Sequence, residues 1–296
     1  MINRRHFLSR TAALTAVSLL PASLWAASPK RDLKKAMMYG TIGFPGSVLD
    51  KFKALKTAGF DGVEAESHMN VAEALKARDV VGLPICSVCC STHWAKPLSS
   101  PKAEVREAGA KGIAQALREA HGYGATSVLV VPGVARDGAN YRECWDRSTA
   151  ELRKLVPLAG ELKVRIAIEN VWNDFITDPK EAVRYVDQFA SPWLGWHFDT
   201  GNILYYGDPA TWVRTLGKRI SRVHIKEYSL ELAKQDKWKG FDVKLLEGSN
   251  QWPEILRAFD DIGYRGWFIS EMPGNQTKDL ASLKDFAARM DKIIAS

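Results

Sequence analysis

Four short apolar runs in the second half of the chain each end on an ionisable residue. Arg165-Ile166-Ala167-Ile168 leads into Glu169-Asn170, and Trp196-His197-Phe198 into Asp199-Thr200-Gly201-Asn202. Ile220-Ser221-Arg222-Val223 leads into His224-Ile225-Lys226, and Gly266-Trp267-Phe268-Ile269-Ser270 into Glu271. An acid placed where a buried strand stops sits at the rim of a core and reaches a ligand without full burial. Two glutamates, an aspartate and a histidine suit a hard or borderline divalent ion such as Mn²⁺, Mg²⁺, Co²⁺ or Zn²⁺. Singly, each has a structural explanation. Glu169 and Asp199 could hold the turns that follow them, His224 could be a satisfied core histidine, and Glu271 could pair with Arg265. Jointly, four ionisable groups at one mouth are costly unless a cation compensates their charge.

The elements that must position them follow from the spacing. Glu169, Asp199, His224 and Glu271 lie 30, 25 and 47 residues apart, each interval long enough for one helix and its loops. Strands alternating with helices imply a parallel sheet, and a closed barrel brings all the strand ends to one mouth. The first half of the chain fits the same alternation. Strands are predicted at 36–41, 62–66, 85–91 and 127–131, and helices at 47–58, 71–81, 102–123 and 142–162. Ser47 caps the first of those helices and Gly59 closes it. Further on, Pro179 opens a helix in the first-turn position that proline tolerates. Another helix begins near Pro209, and two more are predicted at 251–262 and 279–294. Residues 226–250 contain no clear helix and are rich in charge, Gly and Trp, which reads as a functional loop or lid. The fold class is α/β, a single (β/α)₈ barrel over residues 29–296.

Composition agrees. A chain of 296 residues with 46% hydrophobic content can bury the core of one barrel of about 250 residues. The formal net charge of +7 includes Arg4, Arg5 and Arg10 near the N-terminus, and the remainder is too mild and scattered to argue for nucleic acid. Residues 1–28 have the order of an export signal: a basic stretch with Arg4-Arg5 before Phe7-Leu8, an apolar run from Ala12 to Trp25, then Ala26-Ala27-Ser28. The paired arginines make it a twin-arginine signal, so the mature protein is expected to be periplasmic, without a membrane span. Export favours a free sugar or glycoside over a phosphorylated metabolite as substrate. Cys86, Cys89, Cys90 and Cys144 are read as buried and reduced, with Cys86 and Cys90 on one strand face and Cys89 on the other.

At these residues the chain resembles the xylose isomerase-like TIM barrel superfamily. Within it, the likeness is to the sugar epimerase and isomerase branch that includes D-tagatose 3-epimerase, hydroxypyruvate isomerase and inosose dehydratase. The matching stretches are Ile-Ala-Ile-Glu169-Asn, His-Phe-Asp199-Thr-Gly-Asn, Val-His224-Ile-Lys226-Glu and Gly-Tyr264-Arg-Gly266-Trp-Phe-Ile-Ser-Glu271. The resemblance implies that Glu169, Asp199, His224 and Glu271 bind one divalent metal, commonly Mn²⁺, and that Glu169 and Glu271 act as acid and base. It implies an isomerase or epimerase of a keto-sugar working through an enediolate. The same ligands permit elimination, so a lyase or dehydratase acting on an inosose or 3-keto-glycoside stands as the alternative, and a non-catalytic sugar-binding barrel as a third reading. Asn202 replaces a substrate-binding histidine of the tagatose-type enzymes, while Lys226 is similar to the dehydratase branch. His93, Trp94, Trp172 and Glu66 complete the expected substrate contacts, with Trp238 as a further flat wall. Relatives form dimers and tetramers, which makes a homo-oligomer compatible with the resemblance. Endonucleases of the wider fold use trinuclear, histidine-rich sites, which six histidines in the whole chain do not favour.

Overall fold

Runs such as Ile166-Ala167-Ile168, apolar on both faces, are what a parallel strand needs when it lies between a barrel interior and a helix layer. In the computed structural model eight of them close into a barrel whose neighbours follow chain order throughout. The structure describes residues 31–135 and 138–296, so the expected twin-arginine leader lies outside the described residues. The strands are β1 (Leu33–Met38), β2 (Gly62–Glu66), β3 (Ile85–Cys89), β4 (Ser127–Val130), β5 (Arg165–Glu169), β6 (Leu194–Asp199), β7 (Ile220–Ile225) and β8 (Gly266–Ser270). The helices are α1 (Val48–Ala58), α2 (Val71–Val81), α3 (Ala103–Tyr123), α4 (Tyr141–Leu162), α5 (Pro179–Asp187), α6 (Thr200–Leu204), α7 (Pro209–Leu216), α8 (Leu230–Ala233), α9 (Trp252–Asp261) and α10 (Leu280–Ala295).

Local chemistry starts and stops these helices where the sequence indicates. Ser47 and Asp50 form a reciprocal capping box at α1, and Gly59 ends that helix at φ 97°, a left-handed conformation that costs glycine little. Pro179 and Pro209 open α5 and α7 behind the capping carboxylates of Asp178 and Asp208. Each such cap contributes about 1 kcal/mol. Most of the stability comes instead from the large apolar layer between barrel and helices. Trp196, Phe198, Trp212 and Phe259 are all buried there, and full burial of such a side chain contributes about 1.5–3 kcal/mol. Among the described residues no helix is long and apolar enough to cross a membrane.

Several expectations are corrected. The first strand is Leu33–Met38 and not 36–41, because Leu33 already pairs with Gly266 of β8. Its two lysines are accommodated outside the apolar core: Lys34 lies over the Trp267 ring and Lys35 pairs with Asp291. The 226–250 connection carries one short helix, α8, and a 3-10 turn at Lys237–Phe241. A one-turn helix, α6, follows directly on β6. Cys86 and Cys90 do not share a face. Val63 pairs with Ile85 and Glu64 with Ser87, so Cys86 is an extra residue in β3 and the alternation slips there. Cys86 packs with Ala36 and Ile269 in a small cluster separate from the main core that holds Cys90. All four cysteines are free and buried, as expected.

Candidate functional site

The β5–β6 and β6–β7 registers bring the site together. Glu169 lies opposite His197, and Asp199 opposite His224. With Glu271 following β8, the two glutamates, the aspartate and the histidine offer donor atoms within 4.8 Å of one another. His224 Nδ1 is 3.1 Å from Glu169 Oε1, 3.1 Å from Glu271 Oε2 and 3.9 Å from Asp199 Oδ2. Asp199 divides its two oxygens between structure and site. Its Oδ1 accepts from Asn202 N at 2.7 Å and so caps α6. Its Oδ2 is buried without a hydrogen bond and faces the Lys226 ammonium at 3.2 Å. Glu271 does not pair with Arg265, whose guanidinium donates to the Tyr264 carbonyl; its Oε2 lies 2.5 Å from Lys226 Nζ.

Asn170 holds the ends of β5 and β6 together. Its amide donates to the Asp199 carbonyl, and its side-chain oxygen accepts from Trp196 Nε1 and Asp199 N. Asn202 donates in turn to the Asn170 carbonyl, and Trp172 Nε1 to the Asn202 carbonyl. Losing one such buried partner costs about 1–3 kcal/mol, which keeps the carboxylates fixed.

The electrostatics leave the cluster short of positive charge. Burial pushes Glu169 up to about 7 and Asp199 up to about 6. Burial also disfavours the Glu271 carboxylate, but Lys226 and His224 together outweigh it and hold that carboxyl well below its ordinary range. Desolvation likewise opposes the Lys226 ammonium, and Asp199, Glu271 and Glu169 reverse the effect and raise it. Three carboxylates, one of which, Asp199, keeps a buried oxygen without a hydrogen bond, and an imidazole nitrogen form a donor set that fits a hard or borderline divalent cation.

Above the cluster lies a cavity of about 420 Å³. Glu169, Asn202, Lys226 and Glu271 line it, and Trp94, Trp172, Trp238 and Phe241 form much of its apolar wall. Trp172 is at the centre of this wall, 4.9 Å from Trp238 and 5.1 Å from Phe241 between ring centroids. Flat apolar faces beside a few polar groups suit the C–H faces of a sugar. Two expected substrate contacts are not on this lining. His93 turns Nδ1 to accept from Val131 N, and burial lowers it to about 4. Glu66 sits with its carboxylate against Gly40, where a Cβ would come within 2.3 Å of Oε1.

Sequence reasoning passed over three interior residues. Glu64 and His197 are fully buried and cluster with His224; the signal for Glu64 was an acid between two apolar neighbours, Val63 and Ala65, in the middle of a strand. Glu227, also fully buried, accepts from Leu246 N, Asn250 N and Trp252 Nε1. One carboxylate thereby ties both ends of the 226–250 loop that supplies Trp238 and Phe241.

Comparison with known proteins places the whole barrel. The 3-keto-D-glucoside 4-epimerase of E. coli superposes with a TM-score of 0.74 at 17% identity, covering 90% of this chain and 100% of that one. The D-psicose 3-epimerase of Clostridium cellulolyticum H10 gives 0.72 at 18% identity, covering 88% and 98%. At those identities the likeness is one of fold. An uncharacterized protein of Methanocaldococcus jannaschii is 27% identical over 207 residues, 66% of this chain and 67% of that protein. Residues 52–292 match the xylose isomerase-like TIM barrel family, a span that runs from α1 to α10 and includes all four residues of the cluster. The closed eight-stranded parallel barrel and this match agree, and the chain belongs to the xylose isomerase-like TIM barrel family.

Proposed function

We propose that the protein is a divalent-metal-dependent isomerase or epimerase of an unphosphorylated keto-sugar. The observation that carries this reading is the convergence of Glu169, Asp199, His224 and Glu271 beneath an aromatic-walled cavity. These four residues would hold the metal, with Mn²⁺ favoured and Mg²⁺, Co²⁺ or Zn²⁺ also suited to the donor set. The ion supplies Lewis-acid chemistry, lowering the cost of negative charge on the oxygens of an α-hydroxy ketone when its α-hydrogen leaves. The chain's own residues do the rest. Glu169 and Glu271 both line the cavity, where each can exchange a proton with a carbon next to the carbonyl. Exchange on opposite faces inverts the centre, and exchange on one face moves the carbonyl. Trp172, Trp238 and Phe241 orient the ring and exclude water. Lys226, the only cation on the lining among the described residues, is already engaged by two carboxylates, which favours a neutral sugar over a phosphorylated one. The expected export signal at residues 1–28 supports the same preference and a periplasmic location.

Lys226 also motivates a second reading. Its ammonium lies beside Glu271 at the cavity wall, where it could protonate a departing hydroxyl or aglycone, as elimination from an inosose or 3-keto-glycoside requires. One experiment separates the readings. Metal-loaded protein is incubated in D₂O with a panel of free ketoses, inososes and 3-keto-glycosides and followed by NMR. Deuterium entering next to the carbonyl without loss of a group supports the isomerase or epimerase, whereas an enone product selects the lyase. Absence of exchange across the panel with metal bound would overturn both and leave a sugar-binding barrel.

A further inference from the structure

We infer that Glu64 is a positioning residue for His224, holding the imidazole so that Nδ1 faces the three carboxylates; the inference rests on the metal-binding reading of those residues. His224 Nε2 lies 2.7 Å from Glu64 Oε2, and its Nδ1 lies 3.1 Å from both Glu169 Oε1 and Glu271 Oε2. The two ring nitrogens thus have separate assignments. A carboxylate accepting the Nε2–H leaves the Nδ1 lone pair directed at the site, and the other partner of the ring decides which nitrogen is free to ligate.

The surroundings favour this role over an incidental core pair. Glu64 is fully buried on β2, 160 residues before His224, and reaches it across the barrel interior. Its acceptor oxygen is on the far side of the imidazole from the carboxylate cluster, so Glu64 acts through His224. His197 packs edge-on against the same ring, 4.1 Å between centroids at 70°. A half-turn of the imidazole about its Cβ–Cγ bond would replace Nδ1 by a carbon and give up the charge-assisted hydrogen bond to Glu64. The ring is held by that bond on one edge and by His197 against its face.

Co²⁺ affinity and Zn²⁺ NMR test the inference on the barrel carrying Glu64→Met, which keeps the volume but removes the acceptor, and Glu64→Gln, which restores a neutral acceptor. By chelator competition, with the visible Co²⁺ bands reporting the site, Glu64→Met is expected to weaken Co²⁺ binding by about 10- to 100-fold, and Glu64→Gln to recover part of that loss. In the Zn²⁺-loaded wild type, ¹⁵N spectra should show a slowly exchanging His224 Nε2–H that the Met variant loses. If Glu64→Met does not fold, Glu64→Gln carries the test through the position of that same Nε2–H signal, which must move when the acceptor loses its charge. Unchanged Co²⁺ affinity and an unchanged His224 signal in the variants, with wild type binding metal normally, would overturn the role of Glu64 alone. Failure of the wild type to bind Co²⁺ or Zn²⁺ would instead overturn the metal reading and this inference with it.

Discussion

At the N-terminal end of the strands, Arg222 spreads its guanidinium over the carbonyls of Cys86 and Ser221 and the hydroxyl of Thr126. At the C-terminal end, Glu169, Asp199 and Glu271 crowd around His224 and Lys226. Both ends hold charge, and they differ in whether it is answered. The floor charge meets neutral acceptors fixed in the barrel wall. The mouth holds three carboxylates, two of them pushed up by burial, and one of those two, Asp199, has an oxygen without a hydrogen bond. Size does not separate the ends: the floor cavity is about 550 Å³ and the mouth cavity about 420 Å³. Unanswered chemistry does, and it lies at the end where barrels of this kind carry their active sites.

Substitutions at the two ends should therefore fail in different currencies. The largest effect is expected from Glu271→Gln, which should slow deuterium exchange into substrate by about 10²- to 10⁴-fold while leaving the fold in place. A collapsed circular-dichroism spectrum would instead make Glu271 a structural residue and erase the contrast.

The mouth should also be the pH-sensitive end. Burial holds His93 at about 4 against an ordinary value of 6.5, so the native chain declines a proton that the unfolded chain accepts. Above pH 6.5 neither state takes it and the contribution is full. As pH falls toward 4 the unfolded state is favoured progressively, by about 3 kcal/mol at the end. Urea unfolding of wild type and His93→Gln, which keeps an acceptor for Val131 N, should show a stability difference that shifts by that amount between pH 7 and pH 4. A difference that stays constant with pH would remove His93 from the account.

At the floor, Arg222→Met should cost about 1–2 kcal/mol of stability by leaving the part-buried carbonyls of Cys86 and Ser221 without a donor, equally at pH 5 and pH 8 because arginine does not titrate there. Co²⁺ affinity should not change, and a drop in affinity would mean that the two ends are coupled. The smallest effect belongs to the thiols. Cys86 lies toward the floor, Cys89 and Cys90 toward the mouth, and all four cysteines are free. Burial pushes Cys144 up to about 12. Reductant should leave the melting temperature unmoved, and a shift of more than about 2 °C would point to a disulfide.

Much of the barrel was legible because its signals are local. The apolar run before Glu169, the serine before α1 and the prolines of α5 and α7 each act within a few residues, and the structure places elements where they indicate. Strand ends were less legible. β1 begins three residues early because its partner β8 dictates where pairing starts. The four-residue cluster was readable from strand ends alone, since a closed barrel gathers those ends at one mouth, and the registers then set which of them face one another.

By itself the sequence determined the alternation of strands and helices, the apolar content of each strand and the acid or histidine at the end of four of them. Periodicity and capping are properties of neighbouring residues, so they survive without a partner in view. Only the tertiary structure decided that Glu64 meets His224 across 160 residues, that Cys86 and Cys90 part company, and that one carboxylate, Glu227, closes the loop bearing Trp238. Contacts through a barrel interior depend on register and strand tilt, and one extra residue reverses which side chains face inward.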